Sequence, residues 1–271
     1  MRELIAKASN LPSVPKVLQE LMAGFESNSV NGERLAALLA NDLAITAKVL
    51  RLANSAKFGG NRKIGSVKDA VLVLGTDTLR TLVLSLSLSG SFKPIPGFDL
   101  NAYWRYSFRM ANRCKYMAKL LPGVDAEMAY TCGLLHGIGE YLIHIVKPEQ
   151  ATLIEQEVAL GNRRRETEMK HLGFDFTQAG AELARFWHFP EAIALAIEHQ
   201  YTPVYNGKLD PYAALIMFGR YLLEHENAVK EGRHELFPVK LAHALQLKLE
   251  DTYKYIAEMP DLDAGIDEML S

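Results

Sequence analysis

Apolar residues recur along this chain at intervals of three and four, the spacing that gathers them on one face of an α-helix. Asn31 can cap a segment carrying Leu35, Leu38 and Leu39, and Asp42 the next, where Leu43, Ala47 and Leu50 share a face. Ile45, Val49 and Leu52 occupy that segment's other sides, which predicts a largely buried helix. Ser66 with Asp69 resembles a capping box ahead of Val71 and Leu74, and Gly75 supplies the stop. Thr76 opens a helix through Leu79, Leu82, Val83 and Leu86 to about Gly90. Inside it Leu84, Leu86 and Leu88 alternate with Ser85, Ser87 and Ser89, a strand period. The segment is read as helix because it continues a helical pattern and no partner strand is evident.

Lys93-Pro-Ile-Pro-Gly97 is the clearest hinge, since two prolines and a glycine break any helix. Beyond it Asp99 caps a helix to about Leu121, and Asp125 caps one running to about Val146. Pro148 suits a first helical position and Gly161 closes that helix. Helices are expected from about Arg163 to Leu172, Phe176 to Trp187 and Pro190 to His199. Asp210-Pro211 starts another to about Glu226, and the tail from Pro238 to Leu270 reads as two or three short ones. The pattern predicts an all-α protein in two helical lobes, residues 1–97 and 98–205, with the helices of 206–271 packing on the later lobe.

Composition narrows the function classes. An apolar fraction of 49% can fill a real core, and a formal charge of -2 gives no global attraction to nucleic acid or anionic lipid. Cys114 and Cys132 stand far apart with no CxxC pattern, which argues against a disulfide scaffold or a thiolate zinc site. The longest uncharged apolar runs are too short to span a bilayer, and Met-Arg-Glu-Leu-Ile has no signal-peptide layout. A cytoplasmic protein with no nucleic-acid or membrane partner is the expectation.

Several short motifs then follow in a characteristic order: Leu11-Pro-Ser-Val-Pro15, Asn41-Asp-Leu-Ala44, Arg51-Leu-Ala-Asn-Ser-Ala56 and Asp69-Ala-Val-Leu-Val-Leu-Gly75. Trp104-Arg-Tyr-Ser107, Gly133-Leu-Leu-His-Gly-Ile-Gly139 and Trp187-His-Phe-Pro190 continue the series. In these motifs the chain resembles the HDOD family over roughly residues 11–205. The resemblance implies a fold similar to the HD phosphohydrolases and a role in bacterial signalling.

An active HD site, as that resemblance implies, needs an imidazole on one helix, a His-Asp pair on the next and a later Asp, all holding a divalent metal. The chain departs from this at most positions. Tyr106 stands where the first histidine would be, and the pair reads His136-Gly137, so its carboxylate is gone. The slots for further histidines read Phe176 and His199-Gln200, and the late Asp falls near Phe218-Gly219. One or two neutral imidazoles are a poor match to a catalytic metal site, so neither cofactor nor metal is expected.

His136, beside Leu134, Leu135 and Ile138, reads as a hydrogen-bonded core histidine. His199 reads equally as part of the former metal pocket or as a solvated helix end. Gly137 and Gly139 fit either close helix packing or a kink that opens a pocket. A metal site from His136, His171, His188 and His199 has no supporting spacing. Arg163-Arg-Arg165 is the one tight basic cluster, a solvated helix start or a surface for an acidic or phosphate-bearing partner. Asn54 and Ser55 are expected to fix the following loop through side-chain to backbone bonds.

The resulting expectation is a non-catalytic signalling module that binds a protein partner through the HDOD scaffold. One alternative is a divergent metal phosphohydrolase acting on nucleotides or cyclic dinucleotides, with carboxylates from Asp125, Glu127, Glu140 or Asp210. The other is a sensor whose emptied pocket holds a nucleotide-like ligand. Two or more carboxylates converging near His136 would favour the enzyme, a closed apolar pocket the partner-binding module, and an open polar pocket the sensor.

Overall fold

The computed structural model describes residues 18–22, 32–39, 43–54, 64–234 and 236–270. The proposed caps Asn31 and Asp42, Ser55 and the motif at residues 11–15 lie outside these. The described residues form helices and a single two-stranded hairpin, in two compact units. One unit comprises the described residues of 18–94 together with 263–270, and the other those of 95–262.

In the first unit, helices α1 (Gly32–Leu39), α2 (Leu43–Ala53), α3 (Val67–Leu74) and α4 (Thr76–Ser91) pack together. Leu35, Leu39, Val49, Leu52, Leu79 and Val83 are at most 1% exposed and form its core. Ser66 Oγ accepts from the Asp69 amide at 3.1 Å to start α3. Gly75, at φ 79°, ends α3 and starts α4 in a conformation that L side chains rarely adopt. The leucine–serine alternation is helical, as expected, and the serines explain how. Ser85 and Ser87 donate to the Thr81 and Val83 carbonyls at 2.7 and 2.6 Å, so the buried hydroxyls are satisfied within the helix. Asn54 donates to the Leu50 and Ile64 carbonyls and accepts from the Ile64 amide, fastening the end of α2 to Ile64.

The second unit contains α5 (Leu100–Ala118), α6 (Ala126–Leu135), α7 (Ile138–Val146), α8 (Pro148–Ala159), α9 (Arg164–Leu172), α10 (Phe176–Phe186) and α11 (Glu191–Glu198). A hairpin of β1 (Val204–Tyr205) and β2 (Lys208–Leu209) precedes α12 (Pro211–Lys230), α13 (Val239–Ala244) and α14 (Leu249–Ala257). Asp99, Asp125 and Asp210 cap α5, α6 and α12 through their carboxylates. Gly133 brings α6 so close to α5 that an added Cβ would lie 2.8 Å from Ala111 Cα. The final helix, α15 (Ile266–Leu270), packs on α4 in the first unit, although the sequence reading placed all of 206–271 on the later lobe. No described helix is long and apolar enough to cross a membrane.

Candidate functional site

The second unit holds a half-open cavity of about 420 Å³. Tyr103, Tyr106 and Ser107 reach it from α5, at the i, i+3 and i+4 positions that share a helix face. His136 and Gly137 enter between α6 and α7, and Glu140 and His144 follow one turn apart on α7. Glu155 on α8, Arg164 on α9, Phe176 at the start of α10, Tyr201 after α11 and Arg220 on α12 complete the wall.

The single helix expected from Asp125 to Val146 is instead two, α6 and α7, broken at His136 and Gly137. Gly137 sits at φ -103°, ψ 8°, outside the helical region. Gly139 shows what holds α7 in place: a Cβ there would lie 1.9 Å from the Phe176 carbonyl oxygen and 2.6 Å from the Gly180 nitrogen. The α7 backbone therefore rests directly on α10. Of the two roles weighed for this glycine pair, Gly139 takes the packing and Gly137 the break.

His136 is buried, and its Nδ1 donates to the Gly133 carbonyl at 2.7 Å, which leaves Nε2 as an acceptor. Burial, reinforced by the nearby Arg220 guanidinium, pushes the imidazole pKa down to about 3, so it is neutral at physiological pH. Gln200 fixes the surroundings. Its Nε2 donates to the His136 and Ile197 carbonyls at 2.8 and 2.9 Å, and its Oε1 accepts from Arg220 Nη2 at 2.6 Å. Arg220 also lies 4.0 Å over the Tyr201 ring. Among the described residues no carboxylate pairs with it.

The acidic wall is different, because its carboxylates gather on one guanidinium. Arg164 makes a two-pronged bond to Glu155 at 2.7 and 2.8 Å and lies 3.7 Å from both Glu140 and Glu168. Burial raises the Glu140 pKa, and it pushes Glu168 up to about 8 although the Phe176 amide donates to its carboxylate. On α5, burial likewise raises the Tyr103 phenol, keeping it a donor. The Tyr103 and Ser107 hydroxyls are neighbours one turn apart, and among the described residues neither finds another partner.

The metal that this fold family implies does not suit this donor set. His136 offers one free lone pair, Gly137 offers no carboxylate, and Glu140 and Glu155 are engaged by Arg164. A guanidinium beside His136 would repel a divalent cation. No group of three or more His, Cys, Asp or Glu among the described residues could hold a metal ion.

Of the residues singled out from the sequence, Tyr106, His136, Gly137, Phe176 and Arg164 line the cavity, and Gln200 braces it. His199 ends α11 and stacks on Tyr205 at 4.0 Å. Gly219 faces Met110 and Cys114 in the packed core. Arg163 is exposed beside Glu166, and Arg165 binds Asp175 at 2.6 Å. His171 pairs with Glu157 and His188 is exposed. Among the alternative carboxylates, Asp125 and Asp210 cap helices, Glu127 pairs with Lys115, and Glu140 alone lines the cavity. Sequence reasoning missed Arg220, Tyr201, His144 and Glu155. A signal existed for Arg220, a lone charge within Ala213-Ala-Leu-Ile-Met-Phe-Gly-Arg-Tyr-Leu-Leu223.

The family model of the HDOD domain matches residues 11–203. A structure from Shewanella amazonensis SB2B named "Putative phosphohydrolase" is 30% identical, with a TM-score of 0.81 over 99% of this chain and 98% of that one. A "Putative signal transduction protein" from Marinobacter aquaeolei VT8 is 25% identical, with a TM-score of 0.77 over 99% of this chain and 63% of that one. An uncharacterized protein of Treponema pallidum (strain Nichols) is 26% identical over 258 residues, 93% of this chain. This chain spans about half, 49%, of that protein.

Proposed function

This chain belongs to the HDOD domain family, and from that membership and the chemistry of its cavity we propose that it is a non-catalytic cytoplasmic signalling domain, which acts by binding rather than turnover. The observation that carries the reading is the pairing of Gly137, where an HD site needs a carboxylate, with Arg220, a built-in cation beside His136. A divalent ion would have to displace that charge or neutralise it. The scaffold is kept while the chemistry is not, which suits a domain whose output is recognition by a protein partner.

A second observation bears on what the domain responds to. The cavity is open and polar rather than closed and apolar, which favours a small-ligand sensor feeding that partner. The Shewanella relative's name points instead to a phosphohydrolase, and the same experiment separates the two. Elemental mass spectrometry on untagged protein is expected to find near-zero zinc, iron, manganese, nickel and magnesium, before and after metal titration. Nucleotides and cyclic dinucleotides are expected to survive prolonged incubation. One or two retained metals per chain, with hydrolysis abolished by His136→Ala, would establish the enzyme instead.

A further inference from the structure

The cavity is unevenly matched. On its acidic wall Arg164 pairs with Glu155 and lies near Glu140, whereas the guanidinium on the other side, Arg220, is bonded to the Gln200 amide and lies over the Tyr201 ring. A partly buried arginine with no described carboxylate within ion-pair distance keeps donors and a positive potential aimed at incoming anions. Beside it, His136 Nε2 presents a lone pair that no described residue engages, because Nδ1–H is committed to the Gly133 carbonyl. The Ser107 hydroxyl lines the same cavity, fully buried and bonded to nothing beyond its Tyr103 neighbour. Buried polar atoms ordinarily find partners, and among the described residues these atoms have none beyond the Tyr103–Ser107 pair.

We propose that the cavity binds a small organic anion carrying a hydrogen-bond donor, its phosphate or carboxylate seated on Arg220 and its donor on His136 Nε2. The inference rests on the non-catalytic reading, since a ligand turned over on binding would be a substrate. Size and surface agree with this class. About 420 Å³ lies near the small end of ligand sites, enough for a mononucleotide-sized compound and tight for a dinucleotide. The aromatic rings of Tyr106 and Phe176 would cover a flat ring. Cavity water could satisfy Ser107, but water leaves the Arg220 charge unmatched.

The test is calorimetric titration of the full chain with AMP, adenosine and gluconate. AMP or gluconate is expected to bind at least about tenfold tighter than adenosine, and Arg220→Gln to lose about tenfold or more of that affinity. Whichever anion binds better identifies phosphate or carboxylate as the seated group. Adenosine binding as well as AMP, unchanged affinity in Arg220→Gln, or no binding of either anion at millimolar concentration would overturn the proposal. If Arg220→Gln does not fold, Arg220→Lys keeps the charge and must keep the preference for anion over adenosine. Chromatography of the same mixtures separates the two readings. Phosphate released from AMP would sink the non-catalytic reading and make the seat a substrate site, whereas intact but unbound ligands would sink the binding site and leave that reading standing.

Discussion

At the scale of the residue, two glycines do opposite kinds of work. Both Gly139 and Gly219 sit in crowded helices, but an added methyl group meets different neighbours. At Gly139 it meets the Phe176 carbonyl and the Gly180 nitrogen, backbone atoms that cannot step aside. At Gly219 it meets Met110 Sδ at 2.6 Å, the end of a flexible side chain that can rotate away. Gly139→Ala is therefore expected to cost about 3 kcal/mol or more, or to prevent folding. Gly219→Ala should stay within about 1 kcal/mol of the parent, because helix propensity offsets the crowding. Urea denaturation of the two variants checks the contrast, and a small loss for Gly139→Ala would show that α7 and α10 can separate cheaply.

At the scale of the element, the caps carry both fold and site. Asp175 closes a capping box at the start of α10, its Oδ1 accepting from the Thr177 and Gln178 amides while Oδ2 receives Arg165. Asp175→Ala is expected to cost about 2 kcal/mol, with Asp175→Asn losing the smaller part that belongs to Arg165. Equal losses in the two variants, read by thermal denaturation, would mean that the ion pair dominates. Caps such as Asp99, Asp125 and Asp210 were legible in the sequence because their partners lie two or three residues away. The hairpin was equally local and was overlooked. Asn206 and Gly207 adopt φ 48° and 71°, the two positive angles that a tight turn between short strands requires. The break after Leu135 is harder to read because the apolar pattern runs unbroken through it: Gly137 allows a kink, but the contact of Gly139 with α10 is distant in sequence. Arg220 escaped for the same reason, since its role depends on Gln200 and His136, which only the fold brings beside it.

At the scale of the whole molecule, buried ionisable groups set how stability follows pH. His136 has its pKa lowered from 6.5 to about 3, so the unfolded chain takes up a proton that the folded chain refuses, and stability falls as pH drops from 6.5 towards 3. Glu168 has its pKa raised from 4.5 to about 8, so the folded chain keeps a proton that the unfolded chain has lost, and stability falls as pH rises from 4.5 towards 8. Each slope approaches about 1.4 kcal/mol per pH unit, and between 4.5 and 6.5 the two oppose and cancel. Stability is expected to peak in that window. Chemical denaturation across pH should show His136→Gln flattening the acid side and Glu168→Gln the alkaline side. A slope unchanged in either variant would assign that limb to other groups.

Gln200 has a consequence that its burial conceals. One amide joins three helices, because it holds the residue that closes α6 at the His136 carbonyl, the last turn of α11 at the Ile197 carbonyl, and Arg220 on α12. It is a yoke, and a yoke transmits load. An arginine that swings even slightly to meet an anion must either drag this amide with it or let go. In the first case the pull reaches the broken joint between α6 and α7; in the second, two carbonyls lose the brace that keeps their donor oriented. Occupancy of the cavity would then be felt in the backbone of that joint and not only at the His136 ring, the kind of displacement that a partner protein could read from outside.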